Sequence, residues 1–181
     1  EENKYLTNVL TDEAIGFIDR SKDKPFFLYL PYNAPHAPLQ VTQEYYDRFA
    51  SIKDPVKRTY AAMIKSLDDQ LGRLIQHLDS LGLAENTLVI FLSDNGGAVY
   101  NGTTDNAPYR GGKLTNFEGG LLVPFMMEWK GKIKPGTVYT NPVISFDIFA
   151  TVAAAIGVEL PTDRVYDGVD LMPFINGTKQ G

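Results

Sequence analysis

Four side chains in this sequence have types and settings suited to chemistry: His36, Asp94, Asn95 and Lys113. Asp94 and Asn95 stand together in Ser93-Asp94-Asn95-Gly96-Gly97, directly after the apolar run Leu88-Val89-Ile90-Phe91-Leu92. A carboxylate beside an amide oxygen is a pair of hard donors, the kind that Ca²⁺ or Mg²⁺ takes. The same letters also suit a plain strand-to-loop turn, because Asp and Asn bond their own backbone and glycine accepts turn dihedrals. His36 lies between Pro31 and Leu39, in a stretch that Pro31, Pro35 and Pro38 keep extended and out of helix. Its imidazole is thereby held at small entropy cost, either for acid–base work or as an ordinary surface histidine. Lys113 closes Arg110-Gly111-Gly112-Lys113, where an ammonium can meet an anion or stay solvated.

These residues need a scaffold that brings distant loops together. The five-residue apolar run before Asp94 reads as a strand buried on both faces, as in parallel sheets. Phe26-Phe27-Leu28-Tyr29-Leu30, just before the His36 loop, reads the same way. Between them, Asp54 caps a long helix with Pro55 at its first position and Gly82 past its end. Its expected core stripe is Val56, Tyr60, Met63, Ile64, Leu67, Leu71, Leu74, Ile75, Leu78 and Leu81. Asp68, beside that stripe, reads as a structural acid, and His77 as a solvated or partly packed helix residue without chemistry. Strand, helix and strand make a β-crossover-β unit, which is right-handed and parallel almost without exception. The His36 loop and the Asp94–Asn95 turn then open on one edge of the sheet, the edge where α/β proteins bind ligands.

The rest of the chain frames this unit. Residues 5–20 are expected to be helical, with Thr11 as a cap, and Thr42 is expected to start a short helix through Phe49. Residues 98–120 are polar, glycine-rich and without periodicity, and a loop of that length in a compact domain is usually functional. The run from Leu121 to Trp129 reads as a strand that Pro124 delays or keeps at an edge. Ser145 is expected to cap a helix closed by Gly157.

A length of 181 residues and 44% hydrophobic residues fit one globular domain with a real core. The net charge of -5 gives no basic face for nucleic acid. No run approaches the roughly 20 apolar residues that span a bilayer. The chain has no cysteine, so it holds no disulfide, thiolate metal site or cysteine nucleophile. Asn101-Gly102-Thr103 and Asn176-Gly177-Thr178 match the glycosylation triplet, a pattern that also arises by chance.

Several motifs occur in order: Lys24-Pro25-Phe26-Phe27-Leu28-Tyr29-Leu30, Ala34-Pro35-His36-Ala37-Pro38-Leu39, Ser93-Asp94-Asn95-Gly96-Gly97, Arg110-Gly111-Gly112-Lys113 and Glu118-Gly119-Gly120. Together they resemble the sulfatase family, the arylsulfatase-like branch of the alkaline phosphatase superfamily, over nearly the whole chain. The resemblance implies an α/β fold with a partly parallel central sheet flanked by helices, here incomplete. It implies that Asp94 and Asn95 are the second pair of metal ligands for Ca²⁺ (or Mg²⁺). It implies that Lys113 contacts the sulfate and that His36 stands near the leaving-group oxygen. The substrate is then a small sulfate ester or a sulfated glycan, and the parent protein is exported to the periplasm, the outside or the lysosome.

The departures from the family pattern define what the chain is. The family's nucleophile is a formylglycine made in a Cys/Ser-x-Pro-x-Arg motif, and that motif is absent here. An early Asp-Asp metal pair and a Lys-x-His element are absent too. Residues 1–181 are therefore expected to be a single partial domain, the second half of a sulfatase catalytic domain, with 98–120 as its active-site loop. Such a piece is expected to be inactive alone. Leu122 stands where the family often has arginine, and Leu114 where glycine is common. The competing readings are a phosphatase or phosphonate hydrolase of the same superfamily, and a non-catalytic truncated module.

Overall fold

A computed structural model of the chain describes residues 4–180. Residues up to Met127 form one compact unit and those from Glu128 onward a second. In chain order the elements are α1 (Leu6–Ser21), α2 (Gln43–Asp47), α3 (Pro55–Ser80), β1 (Val89–Leu92), α4 (Glu118–Leu121), β2 (Phe125–Glu128), α5 (Asp147–Ala155) and α6 (Met172–Ile175). Short 3₁₀ turns lie at Ala84–Asn86 and Val99–Asn101.

The long helix starts and stops where its sequence says it should. The Asp54 carboxylate accepts the Val56 and Lys57 amides at 2.9 and 3.2 Å, Pro55 fills the first turn, and Gly82 turns away at φ 68°. These contacts satisfy backbone donors that a helix end leaves open. Its buried face coincides with the expected stripe only in part. Ala62, Ser66 and Gln70, four apart, are buried with Met63 and Leu78, while Val56 and Ile64 are exposed. The partner is α1, whose buried residues Thr7, Thr11, Ala14 and Ile18 share one face. Small side chains let two helices approach closely, so Ala62, Ser66, Thr7 and Thr11 are buried along with the larger Ile18 and Met63.

Thr11 is not a cap. The helix begins at Leu6, and Thr11 sits inside it with no exposure, its hydroxyl donating to the Thr7 carbonyl at 3.0 Å. Asp68 pairs with Lys65 at 2.9 Å on the surface. His77 Nε2 meets Asp19 Oδ1 of α1 at 2.8 Å, and Arg73 reaches Asp12 at 2.8 Å, so both tie the edges of the α1–α3 pair.

Among the described residues the sheet has two strands, β1 and β2. Just beyond β1, the Ser93 N–H donates to Pro124 O at 3.2 Å and the Gly96 N–H to Gly120 O at 3.0 Å. Partner numbers fall as strand numbers rise, so this pairing is antiparallel. β2 starts at Phe125, directly after the proline that cannot donate to a ladder. The segment 26–30 is neither helix nor strand and belongs to no ladder among the described residues. Phe27 and Tyr29 are 74% and 77% exposed, alternating with half-buried Phe26, Leu28 and Leu30. Phe26 packs edge-on against Phe17 of α1 at 5.9 Å. The expected parallel β-crossover-β unit is thus not completed among the described residues, and β1 is half-buried rather than buried on both faces. A strand needs a neighbouring backbone, and no described residue supplies one beside 26–30. The α/β class itself stands: helices accompany a small sheet.

In the second unit, Ser145 does not cap α5. The buried Asp147 carboxylate instead accepts the Ile144 and Val169 amides, each at 2.9 Å, and fixes the turn before the helix. α5 ends at Ala155, and Gly157, two residues past it, turns the chain away at φ 71°.

Candidate active site

The His36 loop is built from both sides. Tyr32 Oη lies 2.7 Å from Thr11 Oγ1. Because the Thr11 hydrogen goes to Thr7, the phenol donates and anchors the loop to α1. Burial pushes the Tyr32 phenol above its usual pKa, since the phenolate is poorly solvated there. His36 N–H closes a turn onto Asn33 O at 2.9 Å. The exposed imidazole has both nitrogens engaged: Nδ1 is 2.7 Å from Ala37 O, and Nε2 is 2.9 Å from Lys113 Nζ. A carbonyl only accepts and an ammonium only donates. The ring therefore carries its hydrogen on Nδ1 and offers the Nε2 lone pair to Lys113.

Lys113 arrives from a loop 77 positions away in sequence. That loop is not slack. The Lys113 N–H donates to Gly97 O at 3.0 Å, two residues past Asn95, and the Gly119 N–H donates to Arg110 O at 2.9 Å. The Arg110 guanidinium lies over the Phe117 ring at 3.9 Å, a cation–π contact. The glycines make this mesh feasible. A Cβ on Gly96 would run into the Gly119 carbonyl oxygen, and one on Gly112 into the Gly97 carbonyl oxygen. Backbone lies directly on backbone here.

Asp94 and Asn95 follow β1 as expected. Asp94 is exposed, and its carboxylate has no hydrogen bond or ion pair among the described residues. Asn95 Nδ2 donates to Gly96 O at 3.0 Å, which leaves Oδ1 as its available donor atom for a cation. A carboxylate and an amide oxygen fit Ca²⁺ or Mg²⁺, yet Ca²⁺ takes about six to eight oxygens. No cluster of three or more His, Asp or Glu side chains suited to a metal occurs among the described residues.

The structure thus joins His36 to Lys113 directly, and ties the Lys113 backbone to the turn that carries Asp94 and Asn95. Sequence reasoning passed over Asn106, whose amide lies within 3.1 Å of the carbonyls of Gly97, Gly111 and Gly119. An asparagine inside a glycine-rich loop is the signal that could have found it. Leu114 has φ 71°, the left-handed region, and its side chain is 86% exposed.

Comparison with known proteins shows what the chain is similar to. The sulfatase family model matches residues 1–158. The chain is 36% identical over 180 residues to the uncharacterized sulfatase YdeN of Escherichia coli, covering 98% of the chain and 32% of that protein. It is 39% identical over 184 residues to the steryl-sulfatase of Rattus norvegicus, covering 98% of the chain and 31% of that enzyme. Among solved structures, Ps i-CgsB in complex with k-i-k-neocarrahexaose superposes with a TM-score of 0.91 at 37% identity, over 96% of this chain and 39% of that one. The chain spans about a third of the length of the curated relatives it matches. With the family model covering residues 1–158 and two such relatives matched nearly end to end of this chain, the chain belongs to the sulfatase family.

Proposed function

We propose that the protein containing this chain hydrolyses sulfate esters, and that His36, Asp94, Asn95 and Lys113 form part of its active site. One observation carries the reading. In a chain of the sulfatase family, an ammonium and an imidazole from loops far apart in sequence meet at 2.9 Å, on a backbone mesh shared with the Asp94–Asn95 turn.

The chemistry follows from where charge develops. Cleaving a sulfate ester leaves negative charge on the sulfuryl oxygens and on the departing oxygen. Asp94 and Asn95 would hold a Ca²⁺ or Mg²⁺, which when bound supplies Lewis-acid charge at the sulfuryl group. Lys113 adds positive charge held in place before reaction, which costs no reorganisation at the moment of cleavage. His36 accepts a hydrogen bond from Lys113, so proton delivery to the leaving oxygen belongs to the pair rather than to either residue alone. The nucleophile, a formylglycine, lies in a part of the parent protein outside this sequence, and residues 1–181 are a partial catalytic domain expected to be inactive alone. The substrate is a sulfated glycan or a small sulfate ester, and the parent protein is exported. No described helix is long and apolar enough to cross a membrane.

The test is Asp94→Ala in the parent protein, with bound metal and released sulfate both measured. Loss of metal together with a fall in turnover of at least about a hundredfold supports the assignment. Unchanged sulfate release at normal metal content overturns it.

A further inference from the structure

Asn106 is half-buried at the centre of the 98–120 loop. Its amide nitrogen lies 3.1 Å from Gly97 O, 3.0 Å from Gly111 O and 3.1 Å from Gly119 O. Its carbonyl oxygen takes the Thr104 hydroxyl at 3.3 Å. The three acceptors belong to three separate stretches. Gly97 follows the Asp94–Asn95 turn, Gly111 precedes Lys113 by two residues, and Gly119 lies in α4 beside Gly120, which accepts the Gly96 N–H at 3.0 Å. Converging carbonyls repel, because each points its negative end at the same space. An NH₂ group with two hydrogens, one of them shared, is what neutralises that space. The neighbouring glycines leave room for it: a Cβ on Gly112 would stand 2.7 Å from the Asn106 nitrogen, and one on Gly97 would stand 3.0 Å from its oxygen.

We propose that Asn106 is a positioning residue for sulfate-ester cleavage. Its amide pins the Asp94–Asn95 turn, the Lys113 strand of the loop and α4 at one point, and so sets where the Lys113–His36 pair stands relative to the metal ligands. The proposal rests on the sulfatase reading of those four residues. Asn106→Asp tests it with almost no change of shape. It removes both hydrogens and puts a carboxylate oxygen against three carbonyl oxygens, so the three stretches must separate. Displacements of about 1 Å at a reacting centre cost roughly a hundredfold in rate.

The readout is selectivity between leaving groups in the full-length enzyme, using para-nitrophenyl sulfate and phenyl sulfate as probes. A displaced Lys113–His36 pair hurts the poorer leaving group, phenyl, more. Asn106→Asp is expected to lower kcat/KM at least about tenfold further on phenyl sulfate than on para-nitrophenyl sulfate. Thr103→Val is the control. It deletes a hydroxyl that bonds Ala98 O and Asn101 Oδ1 in the same loop, away from the three carbonyls, and it is expected to change both substrates equally. Asn106→Ser, which keeps one donor, carries the same readout if the Asp variant does not accumulate as folded protein. Equal losses on both substrates, or wild-type rates, in the folded Asn106 variant overturn the proposal. Lys113→Ala separates the two levels. If it abolishes turnover while Asn106→Asp behaves as wild type, only the role of Asn106 fails. If Lys113→Ala leaves turnover intact, the reading of the site fails with it.

Discussion

Gly96→Ala is the sharpest test of the backbone mesh. The added methyl would stand 2.9 Å from Gly120 Cα and 2.8 Å from the Gly119 carbonyl carbon, and it would overlap the Gly119 carbonyl oxygen outright. Carbon atoms at rest keep about 3.5–4.0 Å, so the Asp94–Asn95 turn must withdraw from α4 by roughly 0.5–1 Å. No flexible side chain can yield, because each atom in the way is main chain. Overpacking of this kind costs about 1–3 kcal/mol. The 3.0 Å bond from Gly96 N–H to Gly120 O is lost as well, worth about 0.5–1.5 kcal/mol. The sum, about 1.5–4.5 kcal/mol, converts to roughly ten- to a thousandfold at 1.4 kcal/mol per factor of ten. Hydrogen exchange in the parent protein reads it locally: the amides of Lys113, Gly119 and Gly120 should exchange faster by that factor. Gly72→Ala supplies the opposite sign. Gly72 lies inside α3 with nothing within 4 Å of the new methyl, so Ala should stabilise the helix by about 0.5–1 kcal/mol. Unchanged exchange at those three amides in Gly96→Ala would refute the picture of a close-packed mesh.

Three further outcomes are expected. Leu114 spends about 1–2 kcal/mol on its left-handed backbone and buries little side chain in return. Leu114→Gly should therefore raise stability by about 0.5–1 kcal/mol after glycine's own entropy cost, while Leu114→Ala should not; equal thermal midpoints for the two variants would contradict the strain. His36→Ala in the parent enzyme should reduce turnover of sulfate esters with poor leaving groups more than that of activated aryl sulfates. A uniform loss across a leaving-group series argues against any part in proton delivery. The hydrogen bond from Lys65 holds the Asp69 carboxyl below its usual pKa. A depressed folded pKa means that Asp69's contribution is complete above about pH 4 and is lost as pH falls through the lower folded value. For an ion pair this near the surface the contribution is small, and Asp69→Asn should flatten the acid limb of stability against pH. An unchanged acid limb in the variant would mean that the pair contributes nothing.

Much of this protein was legible in its letters. The start and stop of α3 follow from Asp54, Pro55 and Gly82, because capping and left-handed turns are local chemistry that a few adjacent residues decide. The late start of β2 follows from Pro124, which has no N–H to give. Motif order pointed to the sulfatase family, to which the family model over residues 1–158 assigns the chain.

Other features depended on which distant segments meet, and adjacent letters carry no record of that. Thr11 looks like a cap by type, yet it anchors Tyr32 because α1 begins earlier and packs on α3. The large apolar residues of α3 suggested the buried face in part: Met63 and Leu78 lie on it, but it turns toward Ala62, Ser66 and Gln70, because two helices approach closest where side chains are short. Residues 26–30 have the composition of a strand, but a strand exists only where a second backbone offers it hydrogen bonds. Asn106 is one polar letter in a polar loop until folding brings three carbonyls around its amide. The sequence by itself determined which chemical groups this chain holds and how its local turns close. Tertiary structure decided which of those groups touch, because contact between residues 77 positions apart is fixed by packing and backbone pairing.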